Sequence, residues 1–317
     1  MDAGKHKPLK GLDNARATAW EARAYQGITS MVWRRFRRHP GAMVGTIILG
    51  ILVLSVILAG LSPYDPEKSD ILNKLQPPSW GHPFGTDPLG RDLLTRVLYG
   101  GRISLRVGLM AMAITLVIGI PVGILAGYFG GWVDNVLMRI TDTTLSLPVL
   151  FVLILLGAIL RETELPIAEN NNVLTIAVVI GLLSWMTTAR LVRAAFLTIR
   201  EMDFIVAARG IGASNLRIMV RHILPNAVGP IIVEATLEIG NAIMQEAGLS
   251  YLGFGIRPPT PSWGNLLSNA QAHLTKHPWL AIFPGLMIFL TIIPVNYIGD
   301  GLRDAFDPFK VLEQIGE

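Results

Sequence analysis

The chain of 317 residues has no cysteine. Disulfides, thiolate metal sites and a cysteine nucleophile are therefore excluded. Charge is scarce as well: Asp, Glu, Lys and Arg make up 16% of the residues, 51% are hydrophobic, and mean hydropathy is +0.48. A soluble domain carries about a quarter charged residues, so this chain is too apolar to be one. The phosphate cradle G-x-x-x-x-G-K-[ST] is missing, as is H-E-x-x-H, and Ser62, Ser250 and Ser262 lack the G-x-S-x-G context of a serine nucleophile. The histidines are scattered (His6, His39, His82, His222, His273, His277). His273 and His277 stand four apart but have no supporting acid, so no metal centre is expected. No catalytic cluster remains, which counts against a membrane enzyme.

What is present is a series of long apolar runs. Gly41–Leu61 is uncharged over 21 residues, and a helix of that length crosses the ~30 Å bilayer core. Further runs at 107–128, 140–160, 173–189, 227–248 and 279–298 complete six expected transmembrane helices, an all-α polytopic membrane bundle. The expected organisation is a basic tail over 1–40, a transmembrane domain over 41–300 and a short polar tail over 301–317. The large loops fall at 62–101 and 249–278 on one side and at 190–226 on the other.

Charge assigns the sides. The first tail holds nine Lys/Arg against three acids, and the 190–221 stretch holds six Arg; the 62–101, 161–172 and 249–278 connections hold four, one and two. Positive charge stays on the cytoplasmic side, so both termini and the 190–226 loop are expected inside. Arg102 and Arg106, at the outer end of the second span, run against that count. The polar, basic stretch before the first run is too long for a cleavable signal. Its Trp33-Arg34-Arg35-Phe36-Arg37-Arg38 cluster suits an interfacial helix on the bilayer. The adjoining span explains that charge, so no nucleic-acid partner is expected.

Local features refine the bundle. Gly119, Gly123 and Gly127 recur every four residues on one face of the second span, which predicts a close helix–helix seam. Pro121 and Pro148 predict kinks, and Leu89–Arg106 predicts a short amphipathic helix against the outer surface. Glu234, Glu238 and Glu246 lie in the fifth span, the first two four apart on one face. Acids at membrane depth must face protein or water. Glu234, Glu238 and Asp142, at the inner end of the third span, are the candidate translocation path; buried structural acids are the other reading.

The polar stretch Glu201–Ala227 organises the rest. Asp203 is expected to cap a first helix, Gly210 and Gly212 to break it, Ser214 to cap a second over Asn215–Ile223, and Pro225 to end that one. Within it, Val206–Pro225 resembles the cytoplasmic EAA loop of bacterial ABC importer permeases, through Ala207, Ala208, Gly212, Leu224 and Pro225. Val206 stands where that motif has Glu. The blocks Phe84–Leu105, Gly127–Asp142, Gly248–Leu267 and Phe283–Pro308 resemble the dipeptide/oligopeptide/nickel permease family. The basic tail and the GDGLRDAFDP ending are similar to its C-type subunit.

That resemblance implies a type I ABC importer permease fold in a bacterial inner membrane. It implies partners: a second homologous permease in a heterodimer, two ATP-binding subunits and an extracytoplasmic substrate-binding protein. ATP and Mg then belong to the partner subunits, with no cofactor in this chain. The resemblance makes Val206, Ala207, Ala208, Arg209, Gly212, Arg217, Arg221, Leu224 and Pro225 the ATPase-coupling loop. Peptides are favoured over nickel as cargo because the spans carry no histidine, and imidazole suits nickel. A secondary transporter would show paired inverted halves with broken helices, which the sequence does not suggest; a receptor or scaffold is a further alternative.

Overall fold

Three glycines set the geometry of the bundle. In the computed structural model, which describes residues 30–162 and 172–307, Gly119, Gly123 and Gly127 lie on helix α3 (Leu93–Phe129) against α6 (Asn172–Arg200). A Cβ added to them would sit 2.8 Å from the Trp185 carbonyl oxygen, 2.6 Å from the Ala189 carbonyl oxygen and 2.6 Å from Phe196 Cβ. The two backbones touch at all three rungs, as the sequence spacing predicts. Gly181 of α6 returns the contact, with its missing Cβ 2.7 Å from Ile114. This is the most extensive helix pair in the fold.

The other elements are built around that seam. A short helix α1 (residues 30–38) precedes α2 (Pro40–Ile57), which His39 caps by accepting a bond from the Ala42 amide at 3.0 Å. Helix α4 (Gly131–Leu145) and α5 (Val149–Glu162) follow α3; α7 (Asp203–Gly210) and α8 (Asn215–Tyr251) follow α6. Helix α9 (Trp263–Ala270) and α10 (Trp279–Phe306) complete the fold. Among the described residues there is no strand, only an isolated bridge between Thr86 and Asp92.

Five helices (α2, α3, α6, α8, α10) are long and apolar enough to cross a membrane, and α4 with α5 makes a sixth crossing if the bent pair counts as one. That third crossing is not the kinked helix the sequence suggests. It breaks over residues 146–148, and the two halves diverge by 82°. Pro148 has no amide hydrogen, and it disfavours helical backbone at Leu147.

Elsewhere the helices outrun the apolar windows. The expected surface helix at 89–106 is instead the first third of α3, capped by Asp92, whose side chain accepts from the Thr95 amide at 2.7 Å. The helix of the fourth span continues past 189 to Arg200, that of the fifth starts at Asn215, ahead of 227, and that of the sixth runs on past 298 to Phe306. Hydrogen bonding and packing, not apolarity, end a helix. The arginines of α6 find partners: Arg193 forks onto Asp134 of α4, and Arg200 donates to the carbonyls of Gly127 and Tyr128 at 3.3 and 3.0 Å. Pro121 lies inside an uninterrupted α3. The tails at 1–29 and 308–317, and most of the 161–172 connection, lie outside the described residues.

One end of the bundle, here the basic end, carries α1, α7 and the last turns of α3, α6 and α10. There Arg35 donates to the Asp307 carbonyl at 3.3 Å. The other end, the loop end, is closed by residues 62–92 and 252–278. Trp263, fully buried, donates to the Val97 carbonyl at 2.9 Å, and Phe84 stacks on Phe283 with centroids 3.8 Å apart.

Candidate functional site

The knob at the basic end grows directly out of two long helices. After α6 stops at Arg200, the chain enters α7 within two residues. The N-cap is Met202, without a side-chain bond. Asp203 is therefore the first helical residue and not the cap; its carboxylate acts on the helix dipole. At the other end of α7, Ala213 N–H donates to the Ala208 carbonyl at 3.1 Å and Gly212 N–H to the Arg209 carbonyl at 2.9 Å. That pair of bonds is a Schellman motif, which needs a left-handed residue; Gly212 supplies it with φ +82°. Gly210 is the last helical residue, so the break belongs to Gly212 alone.

Ser214 then caps α8, its Oγ accepting from the Arg217 amide at 3.4 Å. Pro225 does not end that helix. Residues Ile218–Ile223 form a π-helical turn, and the chain runs through Pro225 to Tyr251. Proline lacks the amide hydrogen and crowds the carbonyl four residues back; the wider π turn opens the ladder at that point.

Packing welds the knob to the bundle. Ile205, Ile218 and Ile223 are fully buried against Tyr128, Val192 and Phe196. Tyr128 donates its hydroxyl to Asn215 Oδ1 at 2.8 Å, and the Arg209 guanidinium lies 5.7 Å over the Tyr128 ring. Ala208 is buried, while Ala207 and Val206 are exposed. The outward surface is apolar and basic: Phe204, Val206, Ile211, Leu216 and Val220 are exposed, Ile211 at 87%. Arg217 and Arg221 are exposed and make no ion pair among the described residues. Leu224 and Pro225 are half-buried at the entry to the membrane part of α8. Sequence reasoning missed the apolar side of this surface, although Ile211, Leu216 and Val220 inside so basic a stretch were the available signal.

The three candidate path acids do not come together. Asp142 pairs with Arg190 and lines a cleft of about 690 Å³ with Asp134, Arg139 and Arg193 between α4 and α6. The pair joins α4 to α6. Glu246 is fully buried near the loop end, accepting from Ser104 at 2.9 Å and Ser250 at 2.7 Å. Glu234 and Glu238 share a face of α8, as expected. Glu238 is only 4% exposed, beside Ser184 and Asn241, and its Oε1 has no hydrogen-bond partner among the described residues. Glu234 lines a separate cleft of about 320 Å³ with Arg303 and Asp307 of the last helix and its end.

A polytopic helical bundle with a protruding knob and acids lining clefts suits the membrane component of a transporter. The family model described as binding-protein-dependent transport system inner membrane component matches residues 119–311. A second model, the N-terminal TM domain of oligopeptide transport permease C, matches residues 28–78. The chain belongs to the binding-protein-dependent transport system inner membrane component family.

Similar curated proteins include the oligopeptide transport system permease protein OppC of Bacillus subtilis, 38% identical over 95% of this chain and 97% of its own length. The dipeptide transport system permease protein DppC of Alkalihalophilus pseudofirmus is 41% identical over 87% of this chain and 88% of its own. The glutathione transport system permease protein GsiD of Escherichia coli is 42% identical over 87% and 89%. Among solved structures, a chain of the MetNI methionine ABC transporter in inward-facing conformations matches with TM-score 0.54 and 20% identity, over 68% of this chain and 96% of that one. That likeness extends to the fold.

Proposed function

We propose that this chain is one of two unlike permease subunits of an ATP-driven importer of short peptides, coupled to its ATPases through Val206–Pro225. The observation that carries this is mechanical. The knob is fused without slack to α6 and α8, buries Ile205, Ile218 and Ile223 against them, and presents an exposed apolar and basic face outward. A push on that face must move both helices. Ala207, Val206 and Ile211 supply the apolar contact, and Arg217 and Arg221 supply orientation and steering toward an acidic partner surface.

The remaining parts follow from this reading. ATP and Mg bind the two partner ATPases, a second permease completes the pathway, and an extracytoplasmic binding protein delivers cargo. Arginine at the basic end favours its facing the cytoplasm, which puts both chain ends inside a bacterial inner membrane. Relatives named for dipeptides, oligopeptides and glutathione favour peptide cargo over nickel. Glu234 and Glu238 on α8 are the acids on the path. ATP binding shifts the equilibrium between inward- and outward-open states only through its differential affinity for them, and the knob is the lever that communicates it. Reconstitution of the full complex tests this: ATP-dependent uptake of labelled dialanine is expected, and uptake driven by an ion gradient without ATP overturns it.

A further inference from the structure

The Glu234 cleft holds two opposite charges that face each other without meeting. Glu234 and Arg303 both line it, and Arg303 is the cation that acts on Glu234. Yet neither side chain makes a hydrogen bond, and they form no ion pair within 4.0 Å among the described residues. The rest of the wall is Leu191 from α6, Pro230 and Val233 from α8, Phe306 from α10, and Asp307 just past its end. One turn along α8, about 6 Å further in, lies the buried Glu238 with its unpartnered oxygen.

The Glu234 carboxylate and the Arg303 guanidinium, unpaired with each other and set in a wall that is otherwise apolar except for Asp307, match a ligand that carries both charges itself. We propose that this cleft is a contact site for short zwitterionic peptides in transit, with Glu234 receiving the free α-ammonium group and Arg303 the terminal carboxylate. It rests on the peptide-importer reading and assigns that reading its terminal-group contacts at the basic end. Carboxylate and guanidinium form charge-assisted hydrogen bonds to those groups, and the planar guanidinium fork fits a carboxylate in two-point fashion. The apolar walls tolerate different side chains, because burial is non-directional. A cleft of about 320 Å³ lies within the range of small-molecule sites.

The absence of cysteine from the chain makes the test direct. Leu191→Cys places this chain's single thiol in the wall. In the full complex, without binding protein, its reaction with a methanethiosulfonate reagent is followed by mass of this subunit. Millimolar dialanine is expected to slow the reaction at least fivefold, while N-acetyl-dialanine amide leaves the rate unchanged. Adding Glu234→Gln or Arg303→Gln to Leu191→Cys is expected to abolish protection, with the unprotected rate reporting that the cleft remains formed. Equal protection by the doubly blocked peptide, or none by dialanine, overturns the assignment whether or not the glutamine variants assemble. A rate that rises on truncation after Asp307 and ignores dialanine also overturns it, since the tail is then the occupant. Failure of the importer reading itself shows separately, as loss of ATP-dependent uptake in the unmodified complex.

Discussion

Replacing Gly123 with alanine is the most economical test of how the bundle is held. The new Cβ would stand 2.6 Å from both the Ala189 carbonyl oxygen and Val192 Cβ. Carbon contacts are comfortable at about 3.5–4.0 Å, so the helices must part by roughly 1 Å. One obstacle is backbone, which no rotamer change removes. Gly119 and Gly127 sit one turn away on either side and are equally close to α6, so parting at one rung loosens three. Overpacking costs about 1–3 kcal/mol, and a backbone clash belongs at the upper end. Alanine returns up to about 1 kcal/mol of helix preference, leaving a net loss of about 2 kcal/mol. Gly50→Ala in α2 is the control, since nothing lies within 4 Å of its added Cβ and only the helix preference remains. Thermal unfolding of both variants in one detergent, followed by tryptophan fluorescence, should place Gly123→Ala clearly below the parent and Gly50→Ala at or above it. A Gly123→Ala protein as stable as Gly50→Ala would refute the close-contact account. Because α6 carries the knob, the destabilised variant should also lose uptake while still inserting.

Other perturbations separate the knob's parts. Gly212→Asp forces a side chain into φ +82°, at a cost of about 1–2 kcal/mol; insertion should be normal and peptide uptake lost, and normal uptake by a well-expressed variant would sink the coupling role. Ser214→Ala removes the cap of α8 and should destabilise by about 1 kcal/mol, read as faster amide exchange over residues 215–218. Arg217→Glu with Arg221→Glu should slow association with the ATPases severalfold and reduce its salt dependence, measured by surface binding at two ionic strengths; an unchanged rate would remove these arginines from the interface. Glu246→Leu strands the hydroxyls of Ser104 and Ser250, each costing about 1–3 kcal/mol, and should lower the unfolding temperature far more than Glu246→Gln.

The sequence was most informative where one residue type answers a local demand. The four-residue glycine spacing maps to the α3–α6 seam because a helix face repeats at that interval. Gly212 and Ser214 were legible because a left-handed turn and an N-cap are local problems with few chemical solutions. The misses are mostly non-local. Nothing near Pro225 signals that a π turn will carry the helix through it. Pro148 indicates a kink but not an 82° break, whose angle depends on where α4 can pair Asp134 and Asp142 with α6. Arg303 stands across from Glu234 although 69 positions separate them in the chain, and no short motif encodes that meeting. The apolar window also stops short of the end of α6, because arginines that find carboxylates or carbonyls do not stop a helix.

The π turn at Ile218–Ile223 has a consequence for direction. A π segment accommodates one residue more than an α-helix of the same span, and one residue is worth about 100° of rotation about the axis. It therefore sets the azimuth between two faces of one continuous rod, the arginine face of the knob below and the Glu234–Glu238 face above. Deleting a single residue there would let the rod relax to regular winding while swinging Arg217 about a quarter-turn away from its present bearing relative to the acids. The chain has in effect a phase adjuster between the basic face of the knob and the acidic face of the span above it.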